Sequence, residues 1–194
     1  MGQLKNFNLN TYIDKYNCQI FVETGTGTGE GLSYACNFPF HFLFSIEIYK
    51  EVYDVVSQRF SNNANVKLIN SDSITGIEEI FKEHSEKNCL FWLDAHYPGA
   101  DYGYQTNLAE KNIEIRTPLE YEIKKISGLK NISNDVFILD DLRIYEDGPF
   151  QSGNLPEELK TPGRNINFIR EIFDETHTLQ KMYGQEGYMI LTPK

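Results

Sequence analysis

The chain reads as one α/β domain over residues 1–194, a doubly wound, seven-stranded, mostly parallel sheet that ends in an antiparallel C-terminal hairpin strand. Three observations predict it. Short apolar runs alternate with longer stretches of helical spacing, only Gly184 to Glu186 separate the last two runs, and an acidic residue closes almost every run before that pair.

In chain order, "CQIFVE" (18–23) is the first strand and leads into a turn with Gly25, Gly27, Gly29 and Gly31 at alternate positions. "HFLFSIE" (41–47) is the second strand, and Tyr49, Val52, Tyr53, Val56 and Phe60 then share one helical face. "NVKLIN" (65–70) is the third, followed by a face of Ile74, Ile77, Phe81 and His84. "NCLFWLD" (88–94) and "DVFILD" (135–140) are the fourth and fifth, with helical faces at Leu119, Ile123, Ile126 and at Ile166, Ile169, Phe173 after them in turn. Repeated strand–helix units close by right-handed crossovers, which makes the sheet parallel and covers both its faces with helices. The gap between "THTLQKMY" (176–183) and "GYMILTP" (187–193) is too short for a helix, so one closing strand runs antiparallel.

A net charge of -10, from 18 basic against 28 acidic residues, argues against a surface that tracks nucleic-acid phosphates and favours small, neutral or metal-bridged ligands. No apolar stretch approaches membrane-spanning length and "MGQLKNFNLN" has no signal-peptide core, so no membrane association and a cytoplasmic location are expected. Cys18, Cys36 and Cys89 read as buried thiols without chemistry, and His41, His84 and His177 as structural groups.

In a sheet of this kind a ligand sits outside the carboxyl ends of the strands, where strand order reverses. Glu23, Glu47, Asn70 to Ser73, Asp94, Asp140 and Asp141 lie there. The opening loop is not a dinucleotide fingerprint, because G-x-G-x-x-G meets Glu30 counted from Gly25 and Leu32 counted from Gly27, and no G-K-[ST] follows for a phosphate-binding loop. It is a turn that lets a ligand approach backbone, with Glu23 as acceptor for something cationic. S-adenosylmethionine, with an ammonium, a sulfonium and no phosphate, has that chemistry. Glu47 is placed to bridge two ribose hydroxyls or, alternatively, to open the next helix. Asp72 is placed to accept from an adenine amino group or to cap the helix that "SDSITG" begins.

"VETGTGTGEG" resembles the E/D-x-G-x-G-x-G motif of class I S-adenosylmethionine-dependent methyltransferases, and the strand order along nearly the whole chain is similar to theirs. The resemblance implies a Rossmann-like fold that binds S-adenosylmethionine. It places Glu23, Thr24, Gly25, Thr26, Gly27 and Gly29 around the methionine part, Glu47 at the ribose, and Asp72 with Ser73 at the adenine. "FSIEIYKE", "FWLDAHYPG", "TPLEYEI" and "ILDDLR" further resemble a bacterial methyltransferase-like group, whose first loop is bulkier and less glycine-rich than this one.

On the acceptor side, Asp94 ends the fourth strand and Asp140 and Asp141 the fifth, so three carboxylates reach one rim. The pattern is similar to metal-dependent O-methyltransferases of catechol and sugar type, which implies Mg²⁺ on these three residues, though the insertion between them is unusually long. Alternatively His96 acts directly as a base beside Asp94, while Asp140 or Asp141 caps a turn and Arg143 neutralises one of them. Segments 97–117 and 143–161 read as substrate-side lids, with Tyr97, Tyr102, Tyr104 and Tyr145 to stack on a sugar or aromatic acceptor. The expected activity is O-methylation of a small-molecule or sugar hydroxyl. A cofactor-binding accessory protein without turnover is the alternative.

Overall fold

The computed structural model describes residues 3–98 and 112–194. Seven strands, β1 (Ile20–Thr24), β2 (Phe42–Glu47), β3 (Val66–Asn70), β4 (Cys89–Leu93), β5 (Val136–Leu139), β6 (His177–Met182) and β7 (Tyr188–Pro193), form one sheet in the order β3-β2-β1-β4-β5-β7-β6. The first five are mutually parallel, and β7 runs antiparallel to both β5 and β6. Every strand predicted from the sequence is present, one or two residues shorter than expected, with β1 ending one residue later, at Thr24. β7 fills the interior place between β5 and β6, so the closing hairpin is an integral part of the sheet rather than a trimming of its edge.

The helices among the described residues are α1 (Leu9–Tyr16), α2 (Glu30–Ala35), α3 (Lys50–Phe60), α4 (Ser73–His84), α5 (Ile113–Arg116), α6 (Leu119–Leu129) and α7 (Asn167–Phe173). The predicted apolar faces of α3, α4, α6 and α7 point inward at Val52, Val56, Phe60, Ile77, Phe81, Ile123, Ile126, Ile169 and Phe173. Two apolar clusters result, one on each sheet face. One gathers Ile20, Val22, Phe91 and Phe137 with α4, α6 and α7; the other gathers Phe21, Leu90, Trp92 and Ile138 with α1, α2 and α3. The split follows from the alternation of side chains along fully buried parallel strands.

Three helices, α1, α2 and α5, lie outside the sequence reading. α1 is amphipathic over only 8 residues, opened by Asn8, whose side chain accepts from the Asn10 N–H, and closed by Asn17 in the left-handed region at φ 53°. α5 occupies part of the stretch expected to be loop, capped by Asn112. The segment at 143–161 also differs from an open lid. Ile144, Tyr145, Phe150 and Leu155 are buried, and Arg164 and Lys160 both pair with Asp147, which ties the segment down as a strap over the carboxyl end of the sheet. Tyr145 belongs to the core, edge-on to Phe168 at 5.9 Å, and is not free to stack on an acceptor. Tyr102 and Tyr104 fall outside the described residues.

The small structural expectations resolve individually. His177 is buried, with Nε2 2.9 Å from the Asp135 carbonyl oxygen, and His84 packs against Phe42 and Phe44. Cys18 and Cys89 are buried thiols that burial pushes upward, to about 12 for Cys18, whereas Cys36 is only half-buried. No helix among the described residues is long and apolar enough to cross a membrane.

Candidate functional site

Strand order reverses between β1 and β4, and a cleft of about 250 Å³ opens there at the carboxyl ends. The glycine loop forms its floor. Gly25, Gly27 and Gly29 all have left-handed φ, at 78°, 51° and 75°. A Cβ on Gly25 would stand 2.9 Å from the Asp94 carbonyl oxygen, so glycine is required where the β1 and β4 ends approach backbone to backbone. Gly25 and Thr26 both donate their N–H groups to the Ile46 carbonyl, at 3.0 and 3.2 Å, which clips the loop to the end of β2.

Glu47 ends β2 and is buried in the cleft wall. Its Oε2 accepts the Gly27 N–H at 3.1 Å and its Oε1 the Tyr49 N–H at 2.9 Å. These two backbone bonds fix the rotamer of the carboxylate. One residue pair away, Glu23 is 1% exposed. Its Oε2 accepts from the Ser45 hydroxyl at 2.5 Å, and Ser45 Oγ lies 2.7 Å from Thr26 Oγ1. Burial pushes the Glu23 carboxyl up to about 8, against the Ser45 hydrogen bond and with help from the Glu47 charge. This differs from an exposed acceptor for a cation: α2 lies directly on the group, and a Cβ at Gly31 would overlap Glu23 Oε1.

Of the other residues expected around the ligand, Thr26, Gly27, Asp72 and Ser73 line the cleft. Thr24 and Gly29 do not. Thr24 points to the opposite sheet face from Glu23 and is fully buried, and Gly29 serves the turn into α2, where a Cβ would stand 2.7 Å from Val56 Cγ1. Asp72 caps α4: Oδ1 accepts the Thr75 N–H at 2.9 Å and Oδ2 the Thr75 hydroxyl at 2.8 Å. The capping role and the place in the cleft wall coexist.

Asp94 and His96 bound the other end of the cleft, with Tyr97 buried behind them and its hydroxyl donating to the Leu159 carbonyl at 2.9 Å. His96 sits among the three expected carboxylates, Nε2 3.0 Å from Asp141 Oδ2 and Nδ1 3.5 Å from Asp94 Oδ1. Asp141 also accepts from Arg143 Nε at 2.9 Å. Burial raises the Asp141 carboxyl, but the His96 and Arg143 interactions outweigh it and hold the group below the usual carboxylate range. Asp141 itself takes a left-handed φ of 53°, a strained conformation that aims its side chain back at His96.

Asp94 and Asp140 form a second pair. The Asp140 oxygens meet no hydrogen-bond donor of ordinary geometry among the described residues, and the Asp94 carboxyl faces them. Burial and the neighbouring Asp140 charge push Asp94 well upward, and burial raises Asp140 to about 6, so the pair holds on to protons more strongly than free aspartates do. The donor set does not fit a divalent ion. Asp94 alone of the three faces the cleft, Asp141 is occupied by His96 and Arg143, and no cluster of three or more His, Cys, Asp or Glu among the described residues is arranged to hold a metal. The expected convergence of Asp94, Asp140 and Asp141 on one ion is therefore replaced by a histidine set between two carboxylate partners.

One further carboxyl behind the cleft lies outside the sequence reading. Glu122 on α6 is 0% exposed, and neither oxygen makes a hydrogen bond of ordinary geometry among the described residues. Burial pushes it up to about 7, with Ser73, Thr24 and the His96 charge pulling in the other direction. A signal was available: Glu122 falls three residues after Leu119 and four before Ile126, on the apolar face of its helix.

No protein-family model matches the sequence, and no curated protein is significantly similar to it. Solved structures do share its fold. A Staphylococcus aureus protein designated a candidate caffeoyl-CoA O-methyltransferase superposes over 100% of this chain and 85% of its own at a TM-score of 0.60 and 14% identity. Human methyltransferase-like protein 13, in complex with SAH, matches over 96% and 76% at 0.54 and 14%. The N-methyltransferase NodS from Bradyrhizobium japonicum matches over 96% and 92% at 0.52 and 13%. The sheet order, the interior antiparallel strand and the cleft at the switch point together give this chain the fold of the class I S-adenosylmethionine-dependent methyltransferases.

Proposed function

We propose that the protein is an S-adenosylmethionine-dependent methyltransferase that methylates a hydroxyl of a small molecule or sugar. The observation that carries this reading is Glu47, a buried carboxylate fixed by the Gly27 and Tyr49 N–H groups, in the wall of a cleft whose loop holds glycines in left-handed conformation. Such a wall suits a ribose diol and a cationic ligand, and is repulsive to phosphate. Bound S-adenosylmethionine supplies a methyl group on a sulfonium, with a neutral thioether as leaving group.

The chain's own part is orientation, exclusion of water and removal of one proton. Glu47 accepts from the ribose hydroxyls, the glycine loop lets the ligand lie against backbone, and Ser73 and Asp72 border the base. At the other end, Asp141 Oδ2, 3.0 Å from His96 Nε2, orients the imidazole that takes the proton. A hydroxyl acceptor requires such a base; a free amine does not, and the oriented imidazole therefore favours oxygen as the methylated atom. Calorimetric titration tests the reading: S-adenosylmethionine binds with micromolar affinity and NAD does not. Tight NAD binding with no response to S-adenosylmethionine refutes it.

A further inference from the structure

The carboxylates along the cleft follow the order of the strands: Asp72 after β3, Glu47 at the end of β2, Glu23 in β1 and Asp94 after β4. Among the described residues that line it, the only lysine or arginine is Lys5. Lys5 lies in a 3-10 turn, Leu4–Asn6, which forms part of the cleft wall.

That turn is anchored. The Gln3 N–H donates to the Tyr188 hydroxyl at 3.0 Å and Asn6 Nδ2 to the same oxygen at 3.2 Å. Leu4 and Phe7 are buried with Leu32 and Trp92, and the Tyr34 hydroxyl of α2 donates to the Phe7 carbonyl at 2.9 Å. The Lys5 segment therefore packs between α2, the helix that leaves the glycine loop, and the Trp92–Tyr188 pair of β4 and β7. Its side chain is exposed, and its ammonium meets no carboxylate within ion-pair distance among the described residues.

We propose that Lys5 is the receptor for the carboxylate of the bound donor. The inference rests on the reading of the cleft as an S-adenosylmethionine site. With the base at Asp72 and the ribose at Glu47, the amino-acid end of the ligand extends past the glycine loop toward α2, and its carboxylate needs a cation in a wall that is otherwise acidic. Lys5 supplies that cation from a segment already fixed by Leu4 and Phe7, so the attraction is not offset by ordering a loose segment. The lysine also sets polarity: it offers no partner to a donor that lacks the carboxylate and presents only ammonium and sulfonium.

The test is calorimetry on the full chain with two ligands that differ only in the carboxylate, S-adenosylmethionine and decarboxylated S-adenosylmethionine. Wild-type protein is expected to bind S-adenosylmethionine at least 10-fold more tightly. Lys5→Ala is expected to weaken S-adenosylmethionine about 5- to 20-fold and leave the decarboxylated ligand within 2-fold, and Lys5→Arg to retain most of the affinity. An equal loss for both ligands, or none for either, overturns the assignment of Lys5 while the cofactor site stands. Failure of wild-type protein to bind either ligand overturns the cofactor site itself, and the Lys5 assignment with it.

Discussion

Glu122→Gln isolates the energetics of the acids behind the cleft. In the folded protein burial holds the Glu122 carboxyl at about 7, against an ordinary 4.5, and the side chain is 0% exposed. Because the folded value lies above the unfolded one, its protonated form stabilises the fold fully below pH 4.5, and that stability drains away as pH rises through 7. At about 1.4 kcal/mol per pH unit of displacement, the loss between those limits is about 3 kcal/mol. Glutamine has the shape of the neutral acid and no charge to bury. The variant is therefore expected to match wild type near pH 4.5 and to exceed it by about 3 kcal/mol above pH 8, measured by urea unfolding in buffers spanning that range. Glu23, raised to about 8, titrates in both proteins and gives each a common downward slope, so the difference between them is the quantity that reports on Glu122. Identical pH dependence in the two proteins refutes the argument, since the carboxyl would then be ionised in the fold at no penalty or solvated.

Three other outcomes follow from the geometry. Glu47→Ala is expected to weaken S-adenosylmethionine by at least 10-fold in calorimetry while the protein stays folded, because two charge-assisted hydrogen bonds are lost; unchanged affinity removes Glu47 from the site. Gly31→Ala places a methyl group on the Glu23 carboxyl and is expected to lower stability by about 1–3 kcal/mol in denaturant unfolding, despite the better helix propensity of alanine; a stabilised variant contradicts the packing of α2 on Glu23. Deleting residues 187–194 removes the strand between β5 and β6, so circular dichroism should show an unfolded chain, and a truncated protein melting at the wild-type temperature contradicts the topology.

The sequence by itself determined the strands, their parallel majority and the closing hairpin. Fully buried strands are written as continuous apolar runs such as "CLFWL", and a three-residue gap admits no crossover. It also determined the glycine loop and Glu47, because left-handed backbone and a strand-end carboxylate are local properties with local signatures. α1 escaped because one short amphipathic stretch carries little periodic signal.

Only the tertiary structure decided how the acids divide their work. Asp94 and Asp140 stand 46 positions apart, a separation read directly from their numbers, and nothing local says that their carboxyls face each other while Asp141 turns to His96 and Arg143. The same holds for Glu23, which local pattern offers to a ligand and packing covers with α2, and for Lys5, which enters the cleft wall only because Tyr188 and Tyr34, far along the chain, hold its segment there. Burial and neighbouring charge fix the protonation and reach of a side chain, and both are set by residues distant in sequence that the fold alone brings together.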